Sequence, residues 1–110
     1  MGSYRGRLDI IADILHVVSQ NPKKTQIMYQ ANLSYKVLIK YLKEVSEASL
    51  INFKYEKQCY LLTAKGREFL EAYKEYSRNN GRLEKRLNEI NAERKILEEL
   101  AQTNNSLSLA

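Results

Sequence analysis

From Thr63 to Gln102 the chain contains no proline, and most of its residues are good helix formers. A continuous helix of about forty residues spans roughly 60 Å, more than a single small domain can cover with its own surface. Counting by threes and fours from Tyr73 gives Tyr73, Tyr76, Asn80, Leu83, Leu87, Ile90, Arg94, Leu97 and Ala101, with charged residues flanking them. A stripe sustained at this period reads as a coiled coil, with a second copy of the chain as the expected partner. The competing arrangement, a helix folded back on its own domain, needs a second apolar surface that the rest of the sequence does not offer. Two positions interrupt the stripe. Asn80 would fix register against a polar partner group, and Arg94 needs a nearby carboxylate or an exit to solvent. The stretch Ser77-Arg78-Asn79-Asn80-Gly81 is the weakest helix, with Gly81 costing about 1 kcal/mol relative to alanine. A kink there, or a loop folding the tail into a helical hairpin, stays open.

The residues before Thr63 must then supply a core of their own. Leu8, Ile11, Ala12, Leu15 and Val18 have the spacing of an amphipathic helix running from Arg7 to about Ser19, and Asn21-Pro22 ends it. A shorter helix is predicted over Lys24–Gln30, burying Ile27 and part of Met28. Asn32-Leu33 makes a turn, and Ser34 is a good N-cap for a third helix ending near Ser49. In that helix Tyr35, Leu38, Leu42 and Val45 are predicted to share the core face. Leu50–Tyr55 and Cys59–Leu62 are short runs of strand formers joined by the polar Glu56-Lys57-Gln58, as in a hairpin. Thr63 caps the long helix, and Gly66 is an awkward but tolerable residue for its first turn. Three helices followed by a two-stranded wing form a winged helix-turn-helix. The expected fold is therefore mostly α with a small β-hairpin: a winged helix-turn-helix over residues 7–65, a coiled-coil helix over 66–102, and a frayed tail over 103–110.

Composition narrows the chemistry. One cysteine, Cys59, and one histidine, His16, cannot assemble a zinc site or an internal disulfide. Cys59 lies in an apolar run and reads as a buried structural thiol; His16 falls inside the first helix. No apolar run approaches the length of a membrane span, and the N-terminus lacks the apolar core of a signal peptide. A cytoplasmic protein is expected, without cofactor or small-molecule substrate. There is no nucleophile–base pair, metal-ligand cluster or phosphate-cradling glycine loop, so no enzyme is expected.

The charge is informative because it is uneven. The net charge is +5. Residues 1–62 carry nine Lys or Arg against five Asp or Glu, whereas residues 63–110 carry nine against eight. A basic surface grown only for solubility has no reason to favour the first half. On the third helix Lys36, Lys40 and Lys43 recur at spacings of four and three, largely away from its apolar face. Lys54 and Lys57 flank the hairpin tip, Lys23 and Lys24 precede the second helix, and Asn32, Ser34 and Tyr35 open the third. These ten positions are the candidate contacts to double-stranded DNA, with the third helix in the major groove and the wing on the adjacent backbone. Lysine holds phosphates more than it reads bases, and the third helix has no Arg, Asn or Gln. Modest sequence preference is the expectation.

The strings Lys24-Thr25-Gln26-Ile27-Met28-Tyr29-Gln30-Ala31-Asn32-Leu33-Ser34-Tyr35 and Tyr60-Leu61-Leu62-Thr63-Ala64-Lys65-Gly66 resemble the small archaeal winged-helix chromatin proteins of the "ten-a" class, over roughly Leu8 to Tyr76. The resemblance implies a homodimer joined by an antiparallel coiled coil with a DNA-binding head at each end, associated with chromatin organisation or transcription control. It supports DNA contact at Asn32, Ser34, Tyr35 and the wing, and a nucleoid-associated location. Dimerisation is expected through Tyr73, Tyr76, Asn80, Leu83, Leu87, Ile90 and Leu97. The alternative from the sequence is a non-catalytic interaction adaptor that reuses the same fold without touching DNA.

Overall fold

The computed structural model describes residues 5–103. In chain order the elements are α1 (Arg7–Val18), α2 (Lys24–Gln30), α3 (Tyr35–Glu47), β1 (Ile51–Lys54), β2 (Cys59–Leu62) and α4 (Ala64–Ala101). By packing, the chain divides into a first unit that runs to Lys74, here the head, and a second that begins at Glu75.

Local chemistry sets the helix ends. At the start of α1 the Gly6 N–H donates to Asp9 Oδ2 at 2.9 Å, half of a capping box. At α2 the Lys23 N–H donates to Gln26 Oε1 at 2.7 Å, and Ser34 Oγ caps α3 by accepting from the Val37 N–H at 3.3 Å. Helices α2 and α3 close with the same device. After α2, Leu33 N–H bonds Met28 O at 3.0 Å and Asn32 N–H bonds Tyr29 O at 3.2 Å; after α3, Leu50 N–H bonds Val45 O at 2.9 Å and Ser49 N–H bonds Ser46 O at 3.0 Å. Both are Schellman motifs, which require a left-handed residue after the cap. Asn32 (φ 55°) and Ser49 (φ 63°) take that place, and neither is glycine.

The core is built around α1, which buries Ile11, Ala12, Ile14, Leu15, Val17 and Val18. That face is wider than the single predicted stripe. Leu8, assigned to the stripe, is 42% exposed, since it sits in the first turn before the helix enters the core. Ile27 of α2, Leu38, Tyr41, Leu42 and Val45 of α3, and Leu50 and Ile51 complete the cluster. On α3 the core tyrosine is Tyr41, not Tyr35, which is 60% exposed. Tyr35 is the first residue after the cap, where its side chain leans back past the helix start.

The hairpin pairs antiparallel in the register Ile51↔Leu62, Asn52↔Leu61, Phe53↔Tyr60 and Lys54↔Cys59. Its tip is therefore Tyr55–Gln58, one residue longer than predicted, with Gln58 left-handed at φ 52°. The outer edge of β2 is tied to the α1–α2 connection, where the Tyr60 N–H donates to Pro22 O at 2.9 Å. Cys59 is buried, as its apolar setting predicted.

Thr63 joins the wing to α4: its hydroxyl donates to Ser49 O at 2.7 Å and accepts from the Gly66 N–H at 3.0 Å. Gly66 is more than tolerated here. A Cβ at this position would drive into the Leu50 carbonyl and come within 2.7 Å of Leu62 Cδ1. Phe69 and Leu70 pack against the core, and the Tyr73 hydroxyl donates to Asp9 Oδ1, so the first turns of α4 pack as part of the head. The helix then runs unbroken through Ser77–Gly81, with neither the loop nor the helical hairpin that weak propensity left open. The segment expected to fray lies, from residue 104 on, outside the described residues. From Glu75 to Thr103 every residue is exposed.

Candidate nucleic-acid interface

Helix α3 turns Leu38, Tyr41, Leu42 and Val45 inward, which leaves Tyr35, Lys36, Ile39, Lys40, Lys43, Ser46 and Glu47 on its outer face. The three lysines run down one side of that face. Lys40 Nζ lies 5.3 Å from the centre of the Tyr41 ring, so the ring of a core tyrosine helps position an outward cation. At the head of α3, Lys24 Nζ is 3.5 Å from the Tyr35 hydroxyl and 5.2 Å from its ring centre. Two predicted contact residues from different helices thus meet at one point.

A second lysine group gathers at the wing. Lys23, Lys54 and Lys57 line one cleft of about 470 Å³ together with Asn21, Gln26, Cys59 and Leu61. The cleft joins the α1–α2 connection to the hairpin, so residues 30 or more apart in sequence face one opening. The wing is stiffened from within: Phe53 packs at a tilt against Tyr60 with ring centres 4.9 Å apart and meets Tyr55 edge-on at 5.0 Å.

The other predicted positions already have structural work. Ser34 Oγ is occupied by the cap of α3. Asn32 supplies the left-handed residue that the helix–helix turn requires, which accounts for an asparagine there without a ligand.

Sequence reasoning missed what the arginines do. Arg5 clamps the turn between α2 and α3. One Nη donates to Asp13 Oδ2 and to Ala31 O, the other to Asn32 O, each at 2.8 Å. Arg7 pairs with Glu44 on α3. Among the described residues every ion pair is made by an arginine and none by a lysine. Asp9 is held by Tyr73 and the Gly6 N–H, which keep its carboxyl below the usual carboxylate range, against a small opposing effect of burial. The acids of α1 and the buried side of α3 are therefore neutralised by groups other than the outward lysines. No signal in the sequence pointed to these contacts: Arg5 reaches Asp13 eight residues on and the Ala31 carbonyl 26 residues on, and Arg7 reaches Glu44 37 residues on. Ile39, 37% exposed on the outer face of α3, was also passed over.

In the second unit, Tyr76, Leu83, Leu87, Ile90 and Leu97 are exposed along the predicted seam, and Ile96 and Leu100 widen the apolar face toward the C-terminal end. Asn80 is exposed in the middle of the helix. Arg94 meets Glu98 one turn on at 3.8 Å, with both side chains exposed. Tyr73 lies apart from the rest of that series, half-buried and bonded to Asp9. No helix among the described residues is long and apolar enough to cross a membrane.

The sequence matches the winged helix-turn-helix family profile over residues 4–81. The chain belongs to the winged helix-turn-helix family. Among solved structures it is similar to Sso10a-2, a DNA-binding protein from Sulfolobus solfataricus, at 28% identity and a TM-score of 0.63. That likeness covers 91% of this chain and 100% of the other. No curated protein matches. The winged helix-turn-helix head thus accounts for α1 to the first turns of α4, and the likeness to Sso10a-2 extends well beyond it.

Proposed function

We propose that this protein is a dimeric double-stranded-DNA-binding protein, a transcription regulator or chromatin-architectural protein with modest sequence specificity. The observation that carries the reading is the division of labour among cations. Arg5 and Arg7 are engaged inside the head, while Lys23, Lys36, Lys40, Lys43, Lys54 and Lys57 are exposed without a carboxylate partner among the described residues. Solvated ammonium groups on flexible stems suit phosphates met along a groove. Helix α3 would lie in the major groove, the Lys24–Tyr35 pair at its entry, and the wing cleft against the neighbouring backbone. The similarity to the DNA-binding Sso10a-2 supports this assignment. The resulting place in the cell is the nucleoid.

The dimer rests on the second unit. Leu83, Leu87, Ile90 and Leu97 form an outward stripe at coiled-coil spacing, which a second copy of the same helix fits. Residues 7–65 then serve as the DNA-binding domain and residues 66–102 as the dimerisation helix. Two heads on one assembly suit bridging of duplexes or binding at separated sites.

The test is a titration of duplexes of random and defined sequence across salt concentrations. Each phosphate contact adds about 0.9 to the slope of log affinity against log salt. Charge reversal of Lys36, Lys40 and Lys43 to Glu should abolish binding at moderate salt while leaving the fold intact by circular dichroism. Retained duplex affinity in that variant overturns the reading and favours an adaptor.

A further inference from the structure

Resting on that reading, we propose that Arg67 holds a phosphate of the same DNA strand that the wing lysines engage, in a cleft along the outer edge of β2. An exposed arginine on its own is ordinary. This one is set apart by what it lacks and by what it adjoins. Of the three arginines of the head, Arg5 and Arg7 are tied to other elements, whereas the Arg67 guanidinium has no partner among the described residues. Glu71, one turn further along α4, makes no ion pair with it. Arg67 lines a cleft of about 270 Å³ with Ser19, Asn21, Leu61 and Leu62. Asn21 and Leu61 also line the lysine cleft of the wing, so the two openings adjoin, and no acidic side chain lines either one. The cleft supplies a backbone donor as well. Along a strand the N–H groups point alternately to the paired strand and to the opposite edge. At the outer edge of β2 the Tyr60 N–H is taken by Pro22 O. The Leu62 N–H, two residues on, faces the same edge and makes no hydrogen bond among the described residues. A guanidinium that can fork onto two oxygens, beside a free N–H of a sheet edge, suits a phosphate. From Cys59 to Leu62 the edge runs about 10 Å, and one strand of a duplex carries a charge about every 3.4 Å along its axis. A backbone seated on Lys23, Lys54 and Lys57 therefore has further phosphates at the spacing of the Arg67 cleft.

Charge and fork can be separated by substitution. The full chain and its Arg67 variants are titrated with one random-sequence duplex across salt concentrations, and separately with inorganic phosphate alone. Arg67→Gln should lower the slope of log affinity against log salt by about 0.9, its deficit relative to wild type growing about eightfold for each tenfold dilution of salt. Arg67→Lys should keep the wild-type slope, which depends on charge, and bind more weakly at every salt concentration because the fork is lost. Both variants should unfold in urea at the wild-type midpoint. Equal slopes in wild type and Arg67→Gln overturn the proposal while leaving DNA binding by the lysines standing. A slope that falls only together with the urea midpoint marks a packing role and overturns it too. Binding of inorganic phosphate that Arg67→Gln loses, with the duplex slope unchanged, marks a site for a free anion and overturns it as well. Failure of the wild type to bind the duplex removes this proposal together with the function on which it rests.

Discussion

The head and the second unit leave opposite things on their surfaces. In the head, Ile14, Leu15, Val18, Ile27, Leu38 and Val45 are sealed in one core and Arg5 and Arg7 are tied to carboxylates and carbonyls. Lysine charge is what remains outside. Beyond Lys74 the order is reversed. Arg78, Arg86 and Arg94 pair with Glu75, Glu89 and Glu98 on the same helix, cations and acids are close to balance, and leucine and isoleucine stand exposed among them. Charge without a counter-charge is attracted to a polyion, and hydrocarbon in water is driven against other hydrocarbon. One chain thus presents two surfaces that fit two different kinds of partner.

The comparison is broken most severely from the apolar side. Replacing Leu83 and Leu87 by Lys should dissociate the proposed dimer. Each leucine contributes about 2 kcal/mol on burial and occurs twice in a two-fold assembly. Sedimentation should then report a monomer, with the near-ultraviolet dichroism of the head preserved and duplex affinity reduced by loss of the second head. A variant that sediments like the wild type would refute the seam.

Two glycines of α4 sharpen the contrast with smaller effects of opposite sign. Gly66→Ala should destabilise the head by roughly 3 kcal/mol, because the new methyl meets the Leu50 carbonyl and Leu62. At Gly81 a Cβ has nothing within 4 Å, so Gly81→Ala should stabilise by about 1 kcal/mol through helix propensity alone. Urea unfolding at one protein concentration measures both; a neutral Gly66→Ala would contradict the packing described.

The smallest expected effect concerns acid. The Asp9 pKa is lowered in the fold, so in acid the unfolded chain binds the proton more readily than the folded one. The stabilising contribution is complete above the ordinary carboxylate pKa of about 4 and is lost as pH falls through the lowered folded value. Asp9→Asn and Tyr73→Phe should each lower stability modestly at neutrality, with the loss vanishing in strong acid, so that the acid limb of stability against pH flattens. An unaltered acid limb in both variants would show that the Tyr73–Asp9 bond contributes nothing to it.

Element type and order were legible because they depend on local patterns. The 3–4 spacing of α1, Pro22 after it, the Ser34 and Thr63 caps and the change of period at Leu50 each speak for a few neighbouring residues. What was not legible depends on distant ones. A three-four count starting from Tyr35 selects Tyr35 for the core and passes over Tyr41, because it weighs spacing and not the position of a residue in the first turn. Arg5 and Arg7 look like further surface cations until α3 and the turn before it close over α1. Gly66 reads as a weak helix former until the Leu50 carbonyl arrives beside it. Continuity through Asn79-Asn80-Gly81 was open for the converse reason. Propensity there is poor, yet nothing nearby competes with the helix. The α3 row and the hairpin-tip pair of lysines were legible by position, but the separation of Lys23, which joins the wing cleft, from Lys24, which meets Tyr35, needed the folded chain.

The single thiol of the chain opens strand β2 of the hairpin, 7% exposed, and lines the lysine-rich cleft. Because no other sulfhydryl competes with it, the rate at which a small alkylating reagent modifies Cys59 is a clock for the lifting of the wing from the helices. The native chain carries this reporter without engineering, and it times the opening of the head in the bound and free states alike.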